Sequence, residues 1–458
     1  MIFKRSSEVN MTEGPLFFKI VLFTVPLMLS GILQLLYGTA DMIVVGQFVG
    51  DNALAAIGAT GALTSLIVGL FLGLSTGTSV AVAHAIGARE DNDVKEIVST
   101  SLIIAVVGGI IIGFVGVFCS EYFLALMQTP PEVIKLSAMY MRIIFIGMPA
   151  QLLYNYASAV LRAKGDTTHP LMFLAIAGVI NIILNLLLVI VFHLGVAGVA
   201  VATIASQVVS SILCVLNIVK TEDCCQIKIR EIRIYKEKLY KILKIGLPAG
   251  IQGSLFSFSN VIIQSSINSF GAAAMAGNAA GSNIDGYIYT SMNSLYHASL
   301  TFVGQNVGAK KLDRTLLVAK NCFTIVAITG LSFGLLAFIF KEPLLSVFIK
   351  NNPEAIEYGI MRLSIVATLY VFCGLMEVSC GMLRGIGASM TSMFISLGGA
   401  CIFRIVWIYT IFAEFPSMKI LYLSYPVSWA LTSSLEFIAF LIILKKLRKR
   451  LESQQLLS

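Results

Sequence analysis

A carboxylate sits where carboxylates are costly. Asp41 lies in the stretch LYGTADMIVVGQFVG, inside an apolar run that begins near residue 16. An ionised side chain at membrane depth costs about 2.5–3.5 kcal/mol on insertion scales, so it calls for a reason. In a semi-dry cavity, a carboxylate can hold H⁺, Na⁺ or an organic cation, and the three compete for it. That competition is the chemistry of an exchanger. The structural alternative is an ion pair with an Arg or Lys of the bundle. Asn181 and Asn185 lie one helical turn apart and share a face. Their amide oxygens suit a hard cation. Otherwise they bridge helices by hydrogen bonds worth about 0.6 kcal/mol each. Together with Asp41 they form a candidate ion-coupling set and a candidate Na⁺ site. Glu377 and Asp285 fall in the tenth and eighth apolar runs and are candidates for a C-terminal cavity, with ion pairs to Arg362 or Arg404 as the alternative. Asn155, at the position equivalent to Glu377 in an internal repeat, joins the candidate set. Glu436 and His297 lie nearer the cytoplasmic ends of their runs, and His297 reads as a packing residue.

The elements that must position these groups follow from composition. Hydrophobic residues make up 57% of the chain and charged residues 12%, against about 25% charged in a soluble protein. Lipid then acts as solvent, which leaves helices or closed barrels. The apolar runs are continuous rather than alternating, so helices are expected. Twelve spans are predicted, at about 16–45, 53–82, 95–118, 133–160, 169–192, 196–219, 242–268, 275–303, 316–340, 355–382, 389–412 and 421–444. The second half repeats the first. Pro26, Gly31, Pro131-Glu132, Leu161-Arg162 and Gly165 recur, at one constant separation, as Pro248, Gly253, Pro353-Glu354, Leu383-Arg384 and Gly387. Gly50 and Ile86-Gly87-Ala88 recur as Gly271 and Val307-Gly308-Ala309, one residue closer. Duplication of a six-helix unit gives two lobes of the same orientation, the form of a transporter. The expected divisions are an N-terminal lobe at 1–219, a cytoplasmic linker at 220–241, a C-terminal lobe at 242–445 and a cytoplasmic tail at 446–458. The linker reads chiefly as solvated chain, with an amphipathic helix at the membrane face as the alternative.

The net charge is +8, but its distribution excludes a nucleic-acid surface. Lys and Arg gather at alternate loops: Lys4, Arg5 and Lys19; Arg89 and Lys95; Arg162 and Lys164; the run from Lys220 to Lys244; Lys310, Lys311, Arg314 and Lys320; Arg384; and Lys445 to Arg450. The opposite loops hold few, among them Lys341, Lys350 and Lys419. By the positive-inside rule this predicts a multi-pass protein of the cell membrane with both termini cytoplasmic. Residues 1–15 are polar and the first apolar run is too long for a cleavable signal. The eight cysteines form no C-x-x-C, and Cys224-Cys225 falls in the predicted linker, where thiols stay reduced. Glycines at 69, 73 and 77, and at 109, 113 and 116, predict close helix contacts, and Pro26, Pro149, Pro248 and Pro426 predict bends. No Walker motif, zincin motif or nucleophile elbow is present, so neither ATP-driven transport nor those enzyme classes is expected.

Several of these motifs carry a family likeness over nearly the whole chain: PLMLS…TADMIVVG ending after Asp41, VAHAIGA with FVGQNVGA, LRAKGDT at 161–167 with LRGIG at 383–387, and NIILN at 181–185. The chain resembles the multidrug and toxic compound extrusion (MATE) family, nearest the branch with Ile-Asp in the eighth span, here Ile284-Asp285. The resemblance implies an all-α polytopic fold of twelve transmembrane helices in two pseudo-symmetric six-helix bundles forming a V. It implies a secondary active antiporter, not an enzyme, with no cofactor beyond Na⁺ or H⁺ as coupling ion. Such a protein exports organic cations or amphipathic drugs and toxins by rocking of its lobes. The family's first-span acid falls on Asp41 and its fifth-span polar pair on Asn181 and Asn185. Where some members carry Asp at the second of these, Asn185 is neutral; where some carry an acid in the seventh span, this chain has Phe256. The expected partners are small cationic or amphipathic molecules and membrane lipid, with no nucleic acid, acting on a monomer. The alternative is a flippase for a lipid-linked saccharide, kept open by Arg142, Arg362 and Arg404.

Overall fold

The computed structural model describes residues 8–127, 129–349 and 352–455. Lys4, Arg5 and Lys350 of the charge pattern lie outside the described residues. Among the described residues there is no strand. The helices are α1 (Leu16–Phe48), α2 (Asp51–Ala88), α3 (Asp91–Leu126), α4 (Pro131–Ile146), α5 (Met148–Lys164), α6 (Thr168–Leu186), α7 (Gly195–Lys220), α8 (Lys236–Asn268), α9 (Ala272–Gly308), α10 (Leu312–Ile339), α11 (Lys341–Phe348), α12 (Pro353–Arg362), α13 (Tyr370–Gly385), α14 (Ser389–Ser396), α15 (Phe403–Trp407) and α16 (Met418–Gln455). Each of the twelve predicted spans falls on one of these helices or on a run of consecutive ones. Eight runs are long and apolar enough to cross a membrane, and two further pairs qualify when α4 with α5, and α12 with α13, each count as one bent span. The remaining two spans are α8 and α9, whose Ser, Asn and Gln residues dilute their apolar character.

The duplication is visible in the backbone. Gly50 and Gly271 both precede a long helix at φ +109° and +94°, Arg89 and Lys310 both follow one at +59° and +58°, and Gly165 and Gly387 sit at +104° and +84°. The α4–α5 bend is 47° and the α12–α13 bend 46°. A π-turn at Leu187–Val191 continues α6, and one at Ile408–Phe412 follows α15.

Contacts divide the chain into two compact units, one of residues 1–9 and 29–250, the other of residues 10–28 and 251–458. The divisions inside α1 and α8 fall just after Pro26 and Pro248, the repeat-mate prolines. In the first unit, Gly73 and Gly77 of α2 meet Gly246 and Gly250 of α8. A Cβ at Gly73 would strike the Gly250 backbone, and one at Gly77 the Ile242 carbonyl. Two small-residue faces thus cross with backbones in contact, as lipid-embedded packing requires. Gly69 takes no part, because nothing lies near its missing side chain. Gly109, Gly113 and Gly116 of α3 receive Pro149 and Phe145 at the α4–α5 bend.

The segment expected as a solvated linker is folded instead. Cys225 and Ile227 are buried in a cluster with Val94, Ile97 and Ile242. Ser99 on α3 exchanges hydrogen bonds with the Arg233 backbone, at 2.8 and 2.9 Å. Its apolar residues at alternate positions let it dock as a strap, interrupted by a turn at Asp223–Gln226 and a 3₁₀ turn at Ile229–Glu231 before α8 begins.

In the second unit, the interior is unusually polar. Gln252, Asn278, Asp285, Arg362, Arg384, Arg404 and Glu436 are all buried. Gly281 of α9 admits the Arg362 side chain, and Gly381 of α13 packs on Ser299.

Candidate functional site

In the first unit three helices present matching stripes. On α1, Tyr37, Asp41 and Val45 recur every fourth residue and share a face. On α6 the facing stripe is Leu174, Gly178, Asn181 and Asn185, and on α7 it is Val199 and Thr203. Tyr37 lies on Gly178, where any Cβ would strike the ring at Cζ and its hydroxyl, and its hydroxyl donates to the Leu174 carbonyl at 3.3 Å. This glycine lets α1 approach α6 closely, and the approach brings the polar groups one turn further on into contact. Asn185 Nδ2 donates to Asp41 Oδ1 at 2.5 Å and to Asn181 Oδ1 at 3.2 Å. Thr203 Oγ1 is 3.2 Å from Asp41 Oδ2 and 2.9 Å from the Val199 carbonyl, so its one hydrogen is shared between them. Val45, Val189, Val196 and Val199 close the site on one side in an apolar cluster against which Tyr140 packs.

The electrostatics are simple. Asp41 is half-buried and its bonded partners are neutral. Among the described residues it makes no ion pair with Lys or Arg. Asn181 and Asn185 are 3% and 0% exposed, and Asn185 Oδ1 is buried without a hydrogen-bond partner. The group therefore offers one negative charge, two amide oxygens and a hydroxyl. A monovalent cation would neutralise it, whereas a divalent one would leave a net positive charge in a low-dielectric place. The π-turn that starts two residues after Asn185 widens α6 at this level, a feature that recurs at functional sites.

The structure brings Asp41, Asn181 and Asn185 together, and Asn155 is not joined to them. The Asn155 amide donates to the Gln151 carbonyl on its own helix at 2.9 Å. Its repeat mate Glu377 accepts from Tyr289 at 3.4 Å. Asp285 is paired: its Oδ2 accepts from Arg362 Nε at 2.9 Å, and Arg362 Nη1 donates to Asn278 Oδ1 at 2.7 Å. Of the two pairings foreseen for Asp285, Arg362 is the partner. Arg404 instead donates from Nε to Ser428 at 2.7 Å. Arg142, expected inside the membrane, is half-exposed and paired at 2.9 Å with Glu121, one helix away on α3. Glu436 is fully buried and accepts from Ser396 and Ser392 at 2.7 and 3.3 Å.

Sequence reasoning missed Thr203 and Tyr37. A Thr within an apolar helix ordinarily bonds its own backbone, as Thr203 also does to Val199, so nothing in residue type marked it. Tyr37 carried one usable signal, its four-residue spacing from Asp41.

The geometry can be set beside known proteins. A family model described as MatE matches residues 26–187 and again 248–410, both copies of the repeat. The chain belongs to the MatE family. This is a family of multidrug efflux transporters rather than of enzymes, and the chain is a multi-pass membrane protein. Among MatE relatives it is 29% identical, over 85% of this chain and 86% of the other, to a probable multidrug resistance protein, YpnP, of Bacillus subtilis. It is 23% identical to the multidrug export protein MepA of Staphylococcus aureus over 96% of each. It superposes with a TM-score of 0.90 on the outward-facing conformation of a MATE family transporter of the MOP superfamily, at 22% identity, covering 97% of this chain and 100% of that one. That likeness establishes the twelve-helix, two-lobed MATE fold.

Proposed function

We propose that this MatE protein is a cation-coupled antiporter that exports organic cations or amphipathic drugs, with Asp41 as the coupling carboxylate. One observation carries the reading: Asp41 is held by two neutral side chains, Asn185 and Thr203, and among the described residues no guanidinium or ammonium neutralises it. A charge left without a counterion at membrane depth is held at a cost of several kcal/mol, and a bound cation relieves it. Na⁺, H⁺ and a cationic substrate would relieve it equally well but not together, so occupancy by one expels another. The oxygens of Asp41, Asn181 and Asn185 suit Na⁺, and the carboxylate alone suffices for H⁺. In this reading residues 1–219 and 242–445 act as the moving lobes, both termini are cytoplasmic, and the protein works as a monomer. Two of the three arginines that favoured a lipid-linked saccharide are matched by acids, Arg142 by Glu121 and Arg362 by Asp285, which favours the drug exporter.

The test is uptake of a fluorescent organic cation into inverted membrane vesicles, driven first by a Na⁺ gradient and then by a pH gradient. Asp41→Asn keeps the size and hydrogen bonds of the side chain but removes its charge. It should insert normally and abolish gradient-driven uptake. Full uptake by this variant under either gradient would remove Asp41 from the mechanism.

A further inference from the structure

Among the described residues Arg404 has no carboxylate partner. It is 3% exposed, sits in the interior of the second unit and is bonded through Nε to Ser428. Its Nη2 is buried with no hydrogen-bond partner. The other two buried arginines of this unit make more hydrogen bonds, although Arg384 Nε is also buried without a partner. Arg362 is paired with Asp285, and Arg384 donates to Tyr296 at 2.6 Å and to Gln252 at 2.8 Å. What surrounds Arg404 is aromatic: its guanidinium carbon is 4.5 Å from the Tyr425 ring centre and 5.6 Å from that of Trp429. Tyr370 packs on Trp429 at 5.1 Å. Ring faces attract the cation by about 0.5–2 kcal/mol each, which does not replace the hydrogen bonds that an orphaned charged donor lacks. The backbone is irregular here as well. Arg404 stands on the five-residue α15 between π-turns at Leu397–Ile402 and Ile408–Phe412.

We propose that Arg404, with Tyr425 and Trp429, forms a binding site for an anionic group carried on an aromatic or otherwise apolar body. The free Nη2 donor would bind a carboxylate, sulfonate or phosphate oxygen, and a charge-assisted bond of this kind is about twice as strong as a neutral one. The tyrosine and tryptophan faces would hold the apolar part. Arg404 and Trp429 are buried and Tyr425 is half-buried, so a ligand would reach the guanidinium past Tyr425. The cargo class then widens from cations to zwitterions and anionic amphipaths. The anion could equally be a lipid headgroup, and the experiment separates the two. The proposal does not depend on Asp41 and is tested by binding rather than transport.

The chain has two tryptophans, so Trp407→Phe leaves Trp429 as sole reporter, in contact with Arg404. The variant is placed in phosphatidylcholine nanodiscs and titrated with 4-bromobenzoate, whose heavy atom quenches nearby indole emission. The neutral isostere 4-bromobenzamide and the cation 4-bromobenzylammonium serve as controls. Saturable quenching by the benzoate alone is expected, weakened roughly ten- to hundredfold by Arg404→Gln. A parallel arm uses nanodiscs containing phosphatidylglycerol brominated on its acyl chains. Arg404-dependent quenching there, without quenching by bromobenzoate, would support the same anion site and name lipid as its source. Equal quenching by amide and benzoate, no saturable quenching in either arm, or quenching unchanged by Arg404→Gln would overturn the proposal. If Arg404→Gln does not survive purification, Arg404→Lys decides. Lysine offers a point charge on a shorter, unforked side chain, so an affinity equal to wild type would show that the guanidinium does not hold the anion.

Discussion

Asp285 and Arg362 make the most quantitative prediction in the molecule. Their side chains are 5% and 8% exposed and their ion pair measures 2.9 Å. Asp285 Oδ1 already lacks a partner. Replacing Arg362 with Met removes the only donor to the carboxylate among the described residues and leaves a bare charge. Breaking a buried pair in this way costs about 3–5 kcal/mol, and Asp285→Leu, which strands the guanidinium, should cost a similar amount. The double variant, an apolar pair of similar volume, removes both desolvated charges. Asn278 then loses the 2.7 Å bond from Arg362 but keeps Tyr422 at 3.4 Å, a loss of about 1 kcal/mol. The two single changes therefore sum to roughly 6–10 kcal/mol while the double costs under about 2 kcal/mol, an interaction of at least ~4 kcal/mol in a double-mutant cycle. Unfolding in mixed micelles, followed by tryptophan emission, measures each corner. Additive costs would refute the pairing argument. The same variants separate structure from function: if the double variant is stable and still exports, Asp285 is no ion ligand, and if it is stable but inactive, the pair serves transport.

Three further outcomes follow from named contacts. Asn185→Ala deprives Asp41 Oδ1 of its donor and deletes the unbonded amide oxygen, so the coupling ion's half-saturating concentration should rise roughly tenfold or more; an unchanged ion dependence would exclude Asn185 as a ligand. Gly178→Ala sets a methyl group against the Tyr37 ring, and overpacking of this kind costs about 1–3 kcal/mol; efflux should fall and return when Tyr37→Leu is added, and a fully active Gly178→Ala would show that α1 need not approach so closely. Outside the membrane, burial alone would push Asp223 up, but hydrogen bonds from Lys164 (2.6 Å) and Thr221, with the charge of Lys164, hold its carboxyl below the usual carboxylate range. A depressed folded-state value means this stabilisation is complete above the unfolded value of about 3.9 and is lost as pH falls through the folded one. Melting temperature should therefore be insensitive to this group between pH 5 and 7 and drop below about pH 4, with a smaller drop for Asp223→Asn; an equal acid drop in that variant would place the sensitivity elsewhere.

The helical architecture was legible because membrane solvent leaves little choice: a continuous apolar run must satisfy its own backbone, and twelve such runs with a repeat at constant separation define the two halves. The weakest runs, α8 and α9, remained readable because the repeat demanded them. Asp41, Asn181 and Asn185 could be singled out because their polarity contradicts their surroundings. The contact that brings them together was not derivable from residue types, because it depends on Gly178 admitting Tyr37, a complementarity between helices 137 residues apart at the Tyr37–Leu174 bond. The linker misled for a related reason. Its charges suggested solvent, whereas Cys225 and Ile227 at alternate positions fixed it to α3.

The two repeats share backbone but not charge, and that difference bears on mechanism. Both halves bend by nearly the same angle and both carry a π-turn at the equivalent place. Yet the first sets Asp41 among neutral groups, and the second matches Asp285 with Arg362, holds Glu377 and Glu436 by hydroxyl groups, and leaves Arg404 in an aromatic setting. Ion exchange needs a charge whose compensation is supplied from outside the protein. Asp285 is compensated from within and Asp41 is not. If Asp41 and Asp285 both coupled ions, losing either should impair exchange alike. If the argument from compensation holds, the ion dependence of transport should follow Asp41 and not Asp285, and substitutions around Arg404 should alter which compounds are carried without changing which gradient drives them.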